Sequence, residues 1–174
     1  MGRIVVTEFV SLDGVMEDPG GAEGFKYGGW SFEIPRGEEG DRFKMDEAFN
    51  SEALLLGRVT YDGFADAWPQ REGEFADRFN NMPKYVVGSK ADAGRWTNTT
   101  VLDGDPVQAT RQLREEHDGD LVVHGSRQLA QTLFDSDLVD ELRLMVYPVV
   151  LGDGKRLFGP TSDKKTLRLV DSSV

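Results

Sequence analysis

The stretch Asp120-Leu121-Val122-Val123-His124-Gly125-Ser126-Arg127-Gln128-Leu129-Ala130-Gln131-Thr132-Leu133-Phe134 decides the fold. A short apolar run, Leu121 to Val123, meets Gly125-Ser126, and an apolar stripe at helical spacing follows at Leu129, Ala130, Leu133 and Phe134. This pattern predicts a strand, a tight turn and a helix. Ser126 stands at the N-cap position, where its hydroxyl can accept a first-turn N–H. Such a helix start has spare N–H donors and the positive end of the macrodipole, which suits an anionic phosphate. Arg127 adds a fixed positive charge at the same place. An ordinary strand-to-helix turn would carry the same residues, so the rest of the chain has to decide.

Working outward, the same punctuation recurs. Three buried runs end at a glycine: Leu56 into Gly57, Val87 into Gly88 and His124 into Gly125. Strand-like runs lie at Ile4 to Val10 (interrupted by Thr7 and Glu8), Ala53 to Leu56, Tyr85 to Val87 and Thr99 to Leu102. Helical stretches run from Asp41 to Ser51, from Arg58 to about Trp68 and from Phe75 to Met82. A further helix starts at Asp105-Pro106, a capping carboxylate followed by Pro at the first helical position, and runs to about His117. Residues 17 to 40 form a long irregular segment rich in Gly, Glu and Asp, the kind of loop that is usually functional or mobile. Trp30 within it either lines a pocket or anchors the loop on the core. Leu142, Leu144 and Val146 alternate with Arg143, Met145 and Tyr147, as a strand does, and short strands are expected at Leu157-Phe158 and Leu167 to Val170.

Strands and helices alternate from residue 41 to about 146, then strands follow alone. An α/β fold follows, one domain over residues 1–174: a mainly parallel mixed sheet with helices on both faces and a late antiparallel edge. Parallel strands put the three glycine-terminated ends along one rim, where ligands of open α/β sheets bind. Two of these ends carry Arg, as Gly57-Arg58 and Gly125-Ser126-Arg127, and the third gives Ser89-Lys90. Converged, they would surround a phosphate-bearing ligand with guanidinium forks, hydroxyls and N–H groups. A dinucleotide with an extra 2′-phosphate would use more of that charge than NAD would.

The totals narrow the function. The 174 residues are 39% hydrophobic and 29% charged, which fits a folded globular chain. The formal net charge of −11 repels nucleic-acid phosphate and anionic membranes, so neither is an expected partner. No Cys is present, which removes thiol nucleophiles and thiolate metal sites. The two His, His117 and His124, lack zinc-ligand spacing, so no metal is expected. No apolar run approaches a membrane span and no signal-peptide pattern opens the chain, so a cytoplasmic location is expected.

Several of these pieces together resemble the dihydrofolate reductase-like family, most closely the branch containing the reductase domain of bacterial riboflavin biosynthesis. The matching pieces are Ser11-Leu12-Asp13-Gly14 after the first strand, Leu56-Gly57-Arg58-Val59-Thr60-Tyr61 and the Val122 to Arg127 turn. Asp140-Glu141-Leu142-Arg143-Leu144, Pro148 and Leu151-Gly152-Asp153-Gly154 complete the set. The resemblance implies NADPH-dependent reduction. It places Gly57, Arg58 and Thr60 near the adenosine phosphates, Ser89 and Lys90 beside the 2′-phosphate, and His124, Gly125, Ser126 and Arg127 at the pyrophosphate. Val10 and Ser11 would lie near the nicotinamide. The substrate would sit between the first loop and the helix beginning at Asp41.

For the proton, the resemblance points to Asp41 as the catalytic acid, although a helix-cap role would explain it equally. Asp13 either contacts the substrate or serves the turn beside Gly14. The expected function is an NADPH-dependent oxidoreductase acting on a small heterocycle, ribosylaminopyrimidine-like or pterin-like. The alternatives are a nucleotide-binding module of the same fold without turnover, and a structural dimer whose strand ends are merely turns. A homodimer is common in the riboflavin branch and is the expected assembly.

Overall fold

The computed structural model describes residues 1–88, 91–159 and 164–174. Its first strand, β1 (Arg3–Ser11), comes from the apolar run at the N-terminus, and all but its first and seventh residues are buried. The long irregular segment follows and holds one helical turn, α1 (Trp30–Glu33). Then come α2 (Gly37–Asn50), β2 (Ser51–Gly57), α3 (Arg58–Ala67), α4 (Glu74–Asn81), β3 (Lys84–Val87) and β4 (Thr99–Leu102). The chain continues through α5 (Pro106–Glu116), β5 (Asp120–His124), α6 (Arg127–Asp135) and β6 (Glu141–Tyr147). The start of α5 is as the sequence predicts: Pro106 opens the helix and the Asp105 side chain accepts the Gln108 N–H at 2.9 Å.

The six strands are ordered β4-β3-β2-β5-β1-β6. Among the described residues every strand pairing is parallel, including β1 with β6, where Val5 faces Glu141 and Ser11 faces Tyr147. The expected late antiparallel edge is therefore not present. Alternation along β6 marks a strand but carries no direction, and α6 returns the chain to the start of the sheet before β6 begins. The strands expected at Leu157-Phe158 and Leu167 to Val170 do not form. Antiparallel pairing there is limited to one isolated bridge, Val15 to Arg156.

Two apolar layers cover the two faces of the sheet. Ile4, Val6, Ala53, Leu55, Leu121 and Val123 pack under Leu113 of α5 and Leu129, Ala130 and Leu133 of α6. Leu54, Leu56 and Val86 pack under Ala48 of α2, Tyr61 and Ala65 of α3 and Phe79 of α4. The division follows from handedness. Crossovers between parallel strands are right-handed, so their direction along the sheet sets the face on which the helix lies. The chain steps one way from β1 to β2 to β3 and the other way from β4 to β5 to β6. Helices α2, α3 and α4 therefore fall on one face, α5 and α6 on the other. At the β2–β5 boundary the connections part to opposite faces, which opens a crevice at the carboxyl ends of those strands.

Candidate functional site

The crevice is built by two turns that tie into each other. Gly57 closes β2 and Ser126 precedes α6. The Gly57 N–H donates to Ser126 Oγ at 2.9 Å, and the Ser126 N–H donates to Thr60 Oγ1 at 2.8 Å. Gly125 and Ser126 are both left-handed, with φ of 53° and 51°. A Cβ on Gly125 would come within 3.0 Å of Thr60 Oγ1 and 3.1 Å of its Cγ2, so both conformation and space favour glycine there. Gly88, at the end of β3, lies beside the same corner: a Cβ there would meet the Arg58 Cβ at 3.3 Å. The three glycine-terminated ends thus share one rim.

The Ser126 hydroxyl does not cap α6. It donates to the His124 carbonyl at 2.9 Å and accepts from Gly57, because the left-handed backbone turns it back toward β2. The N–H groups of Gly125 and Ser126 are already engaged, by Glu8 and Thr60. The donors open to an anion are therefore the first-turn N–H groups of α6 itself, together with those of α3, neither helix having a side-chain cap.

The cations are arranged around this point. Arg58 is half exposed and its Nη1 donates to Asp62 Oδ2 at 3.2 Å. Arg95 reaches the same carboxylate at 2.8 Å and Asp66 at 2.5 Å, which adds a guanidinium beside Arg58 that the sequence reading did not single out. On the other side of α6, Arg127 Nε donates to the Arg156 carbonyl at 2.7 Å and so joins the rim to the loop after β6. Ser89 and Lys90, expected beside the 2′-phosphate, lie outside the described residues.

Past its last pair with β5, Thr7 opposite His124, β1 runs on to Ser11 with only β6 beside it. This leaves a notch in the sheet between the end of β5 and the last residues of β1. Val10 is buried there in the α6-side layer. The Ser11 hydroxyl is committed: it accepts the Val15 N–H at 2.9 Å and donates to Asp13 Oδ1 at 2.6 Å. His124 is half buried, its ring edge-on to Phe79 at 5.4 Å, and burial holds its imidazole well below the usual value.

The proposed acids and the proposed substrate contact land elsewhere. Asp13 accepts the N–H groups of Leu151 at 3.1 Å and Gly152 at 2.9 Å, and the Arg156 side chain lies 3.5 Å away. Donors from Ser11, Leu151 and Gly152 lower its pKa to about 2. A carboxylate so fully engaged staples two loops and is unsuited to giving a proton. Asp41 lies on α2 at 67% exposure and pairs with Arg36 Nε at 2.6 Å. The titratable groups that α2 turns inward are Lys44 and Glu47, three and six residues on. The Lys44 Nζ donates to Thr7 Oγ1 at 3.1 Å and pairs with Glu47. Burial lowers the Lys44 pKa. Trp30 is 1% exposed, its Nε1 donates to the Glu17 carbonyl at 2.9 Å, and its ring meets Tyr147 edge-on. It anchors the loop and offers no face to a ligand.

The residue the sequence reading missed is Glu8. It is buried on the α6 side of β1, with Oε2 accepting the Gly125 N–H at 3.1 Å and Oε1 buried without a hydrogen-bond partner among the described residues. Its signal was visible: a carboxylate in the middle of a mainly apolar strand.

A parallel sheet with a crevice at its switch point, two uncapped helix starts and flanking guanidinium groups defines an open α/β domain with a candidate anion site at the carboxyl rim of its sheet. The comparison with protein families is specific: the RibD C-terminal domain model matches residues 3–174, and the chain belongs to that family. It is similar to two uncharacterized proteins of Bacillus subtilis strain 168. YyaP is 25% identical over 98% of this chain and 87% of its own, and YwjB is 26% identical over 92% and 84%. Among solved structures, a Shewanella sp. PV-4 protein named for riboflavin biosynthesis superposes with a TM-score of 0.78 at 21% identity, covering 99% of this chain and 92% of that one. The dihydrofolate reductase-like fold expected from the sequence is thereby shown. No helix among the described residues is long and apolar enough to cross a membrane.

Proposed function

We propose that this protein is an NADPH-dependent reductase of a small heterocyclic compound, of ribosylaminopyrimidine or pterin type. One observation carries the reading: the reciprocal hydrogen bonds between Gly57, Ser126 and Thr60 bring the starts of α3 and α6 to one point of the rim, with Arg58 and Arg127 on either side. Two helix N-termini aimed at one place suit the diphosphate of a dinucleotide, and Arg58 with Arg95 suits the 2′-phosphate that distinguishes NADPH. Arg127 orients the diphosphate from the side of the Arg156 loop. The notch beside Val10 and Ser11 would take a nicotinamide ring, with its substrate stacked toward Phe9 and Lys44, whose Nζ lies 5.6 Å from the Phe9 ring centroid.

The bound cofactor supplies the hydride; the chain aligns the two rings, excludes water and holds charge where it is needed. On the α2 face the inward charge is the Lys44–Glu47 pair. The experiment is a titration with NADPH and NADH, followed by loss of NADPH absorbance against a panel of pterins and aminouracils. Binding with turnover supports the reductase. Binding without turnover across the panel favours the nucleotide-binding module. No binding of either dinucleotide refutes both. A homodimer forms part of the proposal, supported by β6 at the sheet edge, where Leu144 and Val146 are exposed; sedimentation at two concentrations tests it.

A further inference from the structure

Glu8 has no role in the scheme above, yet it lies directly behind the anion site. It sits on β1, 6% exposed, on the face covered by α6. Its Oε2 accepts the N–H of Gly125, the residue that with Ser126 forms the left-handed turn into α6. Its Oε1 is buried and has no hydrogen-bond partner among the described residues. An ionised carboxylate with one oxygen bare in a dry environment is costly, whereas a protonated one leaves only an O–H to satisfy. The acid form is therefore the one that fits this place. Burial works in the same direction and raises the Glu8 pKa well above 4.5, against the smaller opposing effects of the Gly125 N–H and of Lys44.

We infer that Glu8 is a positioning residue for the dinucleotide: as an uncharged acid it fixes the Gly125–Ser126 turn through the Gly125 N–H without setting a negative charge behind the α6 donors. The inference rests on the reading of the rim as a dinucleotide site and deepens it. A neutral acceptor such as an amide would hold the turn equally well. A carboxylate would hold it too, but its charge would oppose the diphosphate across a short, poorly screened distance. The charged groups that face Glu8 leave it exposed to this conflict. Lys44 and Glu47, both on α2, pair with each other, so their fields at Glu8 oppose one another, with that of Lys44 the larger. The first turn of α6 carries no acidic residue. His124, next to Gly125, is held neutral. On β6 the residue in register with Glu8 is Leu144.

The test compares wild type, Glu8→Gln and Glu8→Ala by titration with NADPH and NADH from pH 6 to 9.5. NADH serves as the ligand whose phosphates do not titrate in this range. Wild-type affinity should fall about ten-fold or more as Glu8 ionises, a change equal to one unit of differential protonation. Glu8→Gln should stay within about two-fold across the range, match wild type where Glu8 is protonated and bind more tightly than wild type wherever Glu8 is ionised. Glu8→Ala should bind more weakly at every pH, since Gly125 loses its acceptor. Unfolding midpoints of the ligand-free variants at pH 6 check that each is folded. A purely structural Glu8 would never let the Gln variant overtake wild type. A Glu8→Gln variant as weak as Glu8→Ala, or one that already binds about ten-fold tighter than wild type at pH 6, overturns the inference and leaves the dinucleotide site standing. A wild type that binds neither dinucleotide overturns both, and wild type alone reveals it.

Discussion

Two carboxyl groups flank the end of β1, and the fold treats them in opposite ways. Asp13 lies in the loop beyond the strand and receives hydrogen bonds from Ser11, Leu151 and Gly152. Glu8 lies inside the strand and receives one, from Gly125. Hydrogen bonds hold the first ionised, with a pKa of about 2; burial pushes the second well above the usual carboxylate value. The number of donors and access to water decide the charge, not the side-chain type. The staple at Asp13 is thus a charged device at the surface, and the Gly125–Ser126 turn rests on a neutral one in the interior.

The largest expected effect is on the turn side. Gly125→Ala places a Cβ at 3.0 Å from Thr60 Oγ1 in a left-handed backbone, and should cost about 1–3 kcal/mol in chemical denaturation. It should also abolish measurable NADPH binding at micromolar protein. A variant that unfolds and binds like wild type would break the comparison at its root.

The pH dependence of stability tests the contrast directly. Glu8 has a folded pKa above its ordinary value of 4.5, so its contribution is complete below that value and is lost as pH rises through the raised one. Asp13 has a folded pKa of about 2 against an ordinary 3.8, so its contribution is present above 3.8 and is lost as pH falls through about 2. In urea midpoints measured against pH, Glu8→Gln should flatten the alkaline limb and Asp13→Asn the acid limb. Either variant flattening the opposite limb would reverse the assignment.

Arg58→Ala should weaken NADPH about ten-fold more than NADH, as expected for loss of a guanidinium–phosphate contact. Arg127→Ala should weaken both alike, since its guanidinium reaches across to the Arg156 loop. A competition titration with both cofactors separates the two. Thr60→Val removes the acceptor of the Ser126 N–H and should cost about 1 kcal/mol, with Thr60→Ser close to wild type. The smallest effect belongs to Asp41. Exposed and, among the described residues, paired only with Arg36, it should tolerate Asn with a stability change within about 0.5 kcal/mol. Turnover should also hold within about two-fold by the same exposure argument. A hundred-fold loss of kcat would restore it as the proton donor.

What the sequence disclosed was the rim and what it withheld was its wiring. Gly57, Gly88 and Gly125 end apolar runs, and parallel strands necessarily bring such ends to one side, so their convergence was legible. The Asp105-Pro106 helix start was equally plain, because cap and proline act locally. The direction of β6 was not, since alternation is the same in both senses and only the α6 crossover fixes it. The Ser126 hydroxyl was misjudged because a left-handed non-glycine residue leaves no mark in sequence, and that backbone carries the oxygen away from its own helix. Trp30 was left between pocket and anchor, and its bond to the Glu17 carbonyl decides for anchor. Glu8 read as an interruption of a strand; only the packing of α6 over it shows that the interruption has a partner.

The Asp13 staple bears on how the protein is made. Its acceptor oxygens are met by Leu151 and Gly152, 138 and 139 positions further along the polypeptide. During synthesis the first strand leaves the ribosome long before those partners exist, and Arg127 must likewise wait for the Arg156 carbonyl. The rim cannot be complete in a nascent chain until residue 156 has emerged, so a ligand that needs the whole rim can be captured only after that point.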